Sequence, residues 1–155
     1  NGDVIGTEYH MVIEQGVGGV CELKTHSEKH KPLSAKGLNI LVAEDDLVNQ
    51  KIIAKVLENM NHTYKIVGNG SECVKEWLKN KYDIILMDIM MPVMNGYEAT
   101  RRIRSFPQGK EPYILALTAS AFEEEKVDVL AAGCDDFVLC IDTKISDRFF
   151  KLLAI

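Results

Sequence analysis

The stretch Ile84-Ile85-Leu86-Met87-Asp88-Ile89-Met90-Met91-Pro92 sets a single carboxylate between two apolar runs. Burying an acid without compensation is costly, so Asp88 reads as a functional group at the end of a buried strand. Working outward, similar short apolar runs occupy residues 38–43, 64–67, 113–117 and 137–141. Most of the gaps carry helical spacing. Val48, Ile52, Ile53, Val56, Leu57 and Met60 repeat as one helix face, and Val74, Trp77 and Leu78 do so more briefly. Tyr97, Thr100 and Ile103 follow the Asn95-Gly96 turn. Ser120 with Glu123 reads as a capping box for a helix through Val127, Leu130 and Ala131, which Gly133 ends. Ile145, Phe149, Leu152 and Leu153 stripe a last helix. Five continuous apolar strands alternating with five helices predict an α/β fold, a doubly wound parallel sheet buried on both faces.

The 155 residues suit one domain, or one domain with an appendage. A 46% hydrophobic and 26% charged composition excludes a disordered chain, and no apolar run reaches the roughly 20 residues of a membrane span. The 18 basic residues are outnumbered by 23 acidic ones, a net charge of −5 that offers no footprint for nucleic acid or anionic lipid. Residues 1–37 read as an arm or linker with a hairpin around Glu14-Gln15-Gly16, and residues 38–155 as the regular domain. The chain starts at Asn1 without an initiator Met, a basic start or an apolar leader, and is expected to be part of a longer protein. The four cysteines are too dispersed for a zinc site and read as reduced thiols of a cytoplasmic protein. His26 and His30 stand in a polar stretch and read as solvated.

In an open parallel sheet, ligands bind beyond the carboxyl ends of the strands, where strand order reverses. Glu44-Asp45-Asp46 follows the first apolar run, Asp88 the third, and Thr118-Ala119 the fourth. In the order 2-1-3-4-5 these residues share one edge. Crowded carboxylates repel unless a cation compensates, and hard oxygen donors suit Mg²⁺. With a cation present, Asp can attack phosphorus to form an acyl phosphate. The Thr118 hydroxyl and the Ala119 N–H would then donate to phosphoryl oxygens. Asp46 reads instead as the cap of the first helix. Trp77 and Met87 read as core, Met90 as lining the site, and Glu123-Glu124-Glu125 as a solvated first helical turn.

Ile40-Leu41-Val42-Ala43-Glu44-Asp45-Asp46, residues 86–96 (LMDIMMPVMNG) and Ala116-Leu117-Thr118-Ala119 resemble the receiver domain of response regulators and hybrid histidine kinases. The resemblance covers residues 38–155. It implies a flavodoxin-like (βα)5 fold of strand order 2-1-3-4-5. Asp88 is implied as phosphoacceptor, with Mg²⁺ held by Glu44, Asp45, Asp88 and the main-chain carbonyl of Met90. Thr118 and Phe137 are the implied switch residues. The implied partners are a histidine kinase or histidine phosphotransfer domain, and a second copy through the face of the fourth helix, fifth strand and fifth helix. The haloacid-dehalogenase phosphatases also use a strand-end Asp, but they need an acid two residues on, where Met90 stands. Gly16-Val17-Gly18-Gly19-Val20 loosely resembles the end of a histidine-kinase ATPase domain, so the chain could be a fragment of a hybrid kinase.

One departure stands out. The family's Lys-Pro pair after the fifth strand is replaced by Cys140-Ile141. Two acids and a phosphoryl group carry about −4, Mg²⁺ brings that to about −2, and a lysine would bring it to about −1. The missing charge-assisted bond is worth roughly 1.5–3 kcal/mol. The missing Pro removes the usual reason for a cis peptide there. Atypical switching is therefore expected, or, alternatively, a pseudo-receiver that docks partners independently of phosphate. Lys144 reads as solvent-facing, and Cys140 as a buried thiol.

Overall fold

The computed structural model describes residues 37–119 and 122–139. Within them run β1 (Asn39–Ala43), α1 (Leu47–Asn59), β2 (Thr63–Val67), α2 (Gly70–Lys79) and β3 (Ile84–Asp88). They are followed by α3 (Gly96–Ser105), a short 3-10 turn (Pro107–Lys110), β4 (Tyr113–Thr118), α4 (Glu123–Ala132) and β5 (Asp136–Leu139). The strands form one sheet in the order β2-β1-β3-β4-β5. Every pairing is parallel, and Ala43 stands level with Met87 and Asp88 with Leu117. This is the doubly wound order expected, with four α-helices among the described residues. The hairpin of the arm, the last helix and the Cys140-Ile141 pair lie outside the described residues.

Alternation along each strand divides the core in two. Leu41, Ala43, Ile85, Met87, Ile114 and Ala116 pack with Cys73, Val74 and Trp77 of α2, Ala99 and Ile103 of α3, and Val129 of α4. Ile40, Val42, Ile84, Leu86, Leu115, Leu117 and Val138 pack with Ile53 and Leu57 of α1. Trp77 and Met87 are core as expected, and Trp77 stacks obliquely on Phe106 at 5.7 Å. Cys73 and Cys134 are buried free thiols, and burial pushes Cys73 up to about 12.

Three helix faces differ from their sequence reading. Val48 is 64% exposed, and the buried residues of α1, Ile53 and Leu57, lie beyond its first turn. Leu78 lies on the outer side of α2, where Cys73, Val74 and Trp77 make the buried face. In α4 the buried residues are Val129 and Ala132, while Val127 and Leu130 face outward. Its N-cap is Phe122 and Glu123 begins the helix, while Ser120 of the expected capping box lies outside the described residues. Gly133 does end the helix, in the left-handed conformation at φ +110°.

The amino edge of β4 and β5 is tied by one side chain. Arg104 donates to the carbonyls of Gly109, Pro112 and Gly133 and pairs with Asp135 at 2.6 Å. Asp135 also accepts from the Ile114 N–H at 2.7 Å. The guanidinium fork thus satisfies loop carbonyls from several elements at once. Asp135→Ala leaves Arg104 and the Ile114 N–H short of an acceptor. It is expected to cost about 2–3 kcal/mol in urea unfolding, the range for hydrogen bonds to charged groups. An unchanged midpoint would show that this tie does not hold the edge.

Candidate functional site: an acidic cluster at the carboxyl edge of the sheet

Glu44 and Asp45 follow the last residue of β1, and Asp88 ends β3, the adjacent strand. The register therefore brings their side chains together. One carboxylate oxygen from each lies within 4.8 Å of the others. Glu44 is buried, Asp88 half-buried and Asp45 exposed, so the cluster opens to solvent on one side. Oxygen donors alone, three of them acidic and converging from one side, match what a hard divalent cation requires. This cluster can hold a metal ion.

The chain fixes these acids in place locally. Asp46 caps α1 as expected, its Oδ1 accepting from the N–H groups of Val48 and Asn49 at 2.8 and 2.9 Å. That cap turns the chain so that the Asp46 N–H reaches Glu44 Oε1 at 3.1 Å and the Asn49 amide reaches it at 3.3 Å. Gln50 holds the Glu44 carbonyl at 2.7 Å. On β3, the Met90 N–H donates to Asp88 Oδ1 at 3.1 Å. The loop then returns under the strand tip, where Gly96 donates its N–H to the Ile89 carbonyl. A Cβ on Gly96 would collide with the Asp88 carbonyl oxygen and Ile89 Cα, so only glycine lets α3 start so close beneath the acid. Val93, in the same loop, takes a left-handed φ of 68°, a strained conformation for a β-branched residue.

Electrostatics follow from the crowding. Burial, then the charges of Glu44 and Asp45, push Asp88 up to about 7 against the pull of the Met90 N–H. Asp45 lies within hydrogen-bonding reach of Asp88, a contact that raises Asp88 further. Burial also raises Glu44, opposed by the Asp46 N–H and Asn49.

Thr118 ends β4, one step past the Leu117 that pairs with Asp88, and is 4% exposed. Ala119 follows it and is exposed. Phe137 lies half-buried on β5 opposite Ala116, and Met90 is 76% exposed at the mouth of the site. Sequence reasoning did not single out Asn49, Gln50 or Gly96 as supports of the site. It also took Glu125 as solvated, whereas Glu125 is half-buried and accepts a hydrogen bond from the Thr118 hydroxyl at 3.0 Å. Only the spacing of Asn49 from the Asp46 cap carried a signal for any of these.

These acids stand at the carboxyl edge of a doubly wound sheet, the place where such folds bind their ligands. The response regulator receiver domain family matches residues 40–140, and the chain belongs to that family. A similar solved structure is the receiver domain of the sensor histidine kinase PA1611 from Pseudomonas aeruginosa, which holds a magnesium ion in its active-site cleft. It is 34% identical at a TM-score of 0.68, covering 76% of this chain and 94% of that one. Another comes from the Saccharomyces cerevisiae complex of the histidine phosphotransfer protein Ypd1 with the receiver domain of Ssk1. It is 29% identical at a TM-score of 0.68, covering 75% of this chain and 85% of that one. Among sequence relatives, a probable histidine kinase from Oryza sativa subsp. indica is 35% identical over 81% of this chain. The chain spans 16% of that relative's length. Among the described residues no helix is long and apolar enough to cross a membrane.

The raised Asp88 gives a pH signature. Without a cation the folded chain keeps the Asp88 proton up to about pH 7, while an unfolded one releases it near 3.8. The folded state then binds more protons in that window, so stability falls as pH rises through it. In chelator, the urea midpoint is expected to drop between about pH 4 and about pH 7, and Asp88→Asn should flatten much of the drop. An equally steep profile in Asp88→Asn would place the repulsion elsewhere.

Proposed function

We propose that this domain is a phosphorelay receiver in which Asp88 accepts a phosphoryl group from a phosphohistidine. The convergence of Glu44 and Asp45 on Asp88 carries the reading. An Asp88 oxygen attacks phosphorus, the P–N bond to the histidine breaks, and the imidazole, already protonated on its other nitrogen, takes the bonding electron pair and departs neutral. The product is an acyl phosphate. The residues that would hold Mg²⁺ are Glu44, Asp45, Asp88 and the Met90 carbonyl. Bound there, the ion would offset the charge that otherwise opposes the approach of phosphate to three acids. The Thr118 hydroxyl and the Ala119 N–H donate to the phosphoryl oxygens, and Phe137 responds on the neighbouring strand. Exposed Met90 screens the mouth of the site.

The phosphodonor in this reading is a histidine kinase or a histidine phosphotransfer domain. Leu47, Val48, Met90 and Val93 are 64% to 85% exposed around the acids, and this apolar rim supports protein docking there. Exposed Val127 and Leu130 on α4 support self-association through the face of α4, β5 and the following helix. The buried free thiols suit a cytoplasmic setting. Residues 1–37 stand in this reading as an arm preceding the receiver, and the parent protein as a hybrid kinase.

Incubation with Mg²⁺ and acetyl phosphate should add about 80 Da, the mass of one HPO₃, by intact mass spectrometry. Asp88→Asn or a chelator should abolish the gain. No gain from acetyl phosphate or from a phosphorylated histidine phosphotransfer protein would leave the phosphate-independent docking reading in its place. The second expectation concerns Cys140-Ile141. Cys140→Lys should prolong the adduct about tenfold by restoring a charge-assisted bond to the phosphoryl group. An unchanged lifetime would refute the lost-charge explanation of atypical switching.

A further inference from the structure

The first turn of α4 meets the end of β4 and the body of β5 with adjacent side chains. Glu125 accepts the Thr118 hydroxyl at 3.0 Å. Lys126, paired with Glu123, sets its ammonium 5.6 Å from the centre of the Phe137 ring. Nearby on α3, burial and the charges of Glu125 and Asp128 oppose ionisation of Tyr97. Thr118 is buried, so its hydroxyl does not exchange Glu125 for water at no cost. A hydroxyl has one proton to donate. Donated to Glu125, it points toward α4, and it cannot at the same moment serve a phosphoryl oxygen on Asp88. A phosphoryl group would also bring further negative charge toward the strand tips that Glu125 faces.

We propose that Glu125 is a positioning residue that holds the Thr118 hydroxyl toward α4 until a phosphoryl group on Asp88 competes for it. The inference rests on the receiver reading above and adds to it a residue outside the acid cluster. The bond makes α4 part of the switch. Redirection of the Thr118 hydroxyl from Glu125 to a phosphoryl oxygen frees Glu125 and with it the first turn of the helix. Phosphorylation therefore works against Glu125, and removing the acceptor favours the phosphorylated state.

The test compares wild type, Glu125→Ala, Glu125→Gln and Thr118→Ala, and the Glu125→Ala/Thr118→Ala pair, with acetyl phosphate and Mg²⁺. Intact mass gives the fraction phosphorylated against donor concentration and the decay of the adduct after donor removal. Glu125→Ala is expected to reach half-occupancy at about three- to tenfold less donor, or to hold the adduct longer by that factor, as loss of one hydrogen bond allows. Glu125→Gln keeps an uncharged acceptor and should fall between, and it carries the test if Glu125→Ala does not fold. In the Thr118→Ala background the Glu125 substitution should have no further effect, a dependence that a merely structural role would not produce. A wild-type adduct that forms normally but is unaltered by the Glu125 substitutions, or altered equally without Thr118, overturns this inference and leaves the receiver reading intact. Failure of wild type to accept phosphate from any donor overturns both.

Discussion

The mutual repulsion of three carboxylates at the tips of two adjacent strands governs this molecule. Two of the three acids are individually supported. The Asp46 N–H and Asn49 serve Glu44, and the Met90 N–H serves Asp88. These donors are neutral and orient the oxygens without cancelling their charge. The ion pairs among the described residues lie elsewhere, on the outer side of α3, at the amino edge and on α4. Burial then acts on what remains, and Asp88 stays protonated far above the usual carboxylate range. Among the described residues the acids therefore have neutral donors and no ion-pair partner, an arrangement that favours a cation.

The strands and the acids were legible because their signals are local. A run such as Ile84-Ile85-Leu86-Met87 has few uses other than a strand covered on both sides, and Asp88 at its end is conspicuous by cost alone. Asp46 announced itself as a helix cap for the same reason. What was not legible depended on how elements dock. Val48 has the right period for the core of α1 yet is exposed, since periodicity specifies a face and not which of its residues are covered. In α4 the residues at apolar spacing, Val127 and Leu130, lost the core to Val129 and Ala132. Glu125 looked like one of three solvated acids, and only the seating of α4 beside the end of β4 turns it toward Thr118.

Support beneath the site was similarly hidden. Gly96 read as a turn residue after Asn95, but its demand for glycine comes from the backbone of β3 pressing on it. Arg104 carried no motif at all, because most of its partners are main-chain carbonyls brought together by two separate loops. Such residues leave no pattern along the chain; they are recognisable only once the loops are in space.

The tie through Arg104 has a mechanical consequence for α4. Its carboxyl-terminal end is fastened, since Gly133 presents its carbonyl to the guanidinium while Asp135 anchors the start of β4. At its other end Glu125 stands against Thr118 and Lys126 above Phe137. A lever built this way has its fulcrum at Gly133, so a small change at the strand tips is magnified along the helix and is widest at Phe122, the aromatic ring that α4 holds out to solvent.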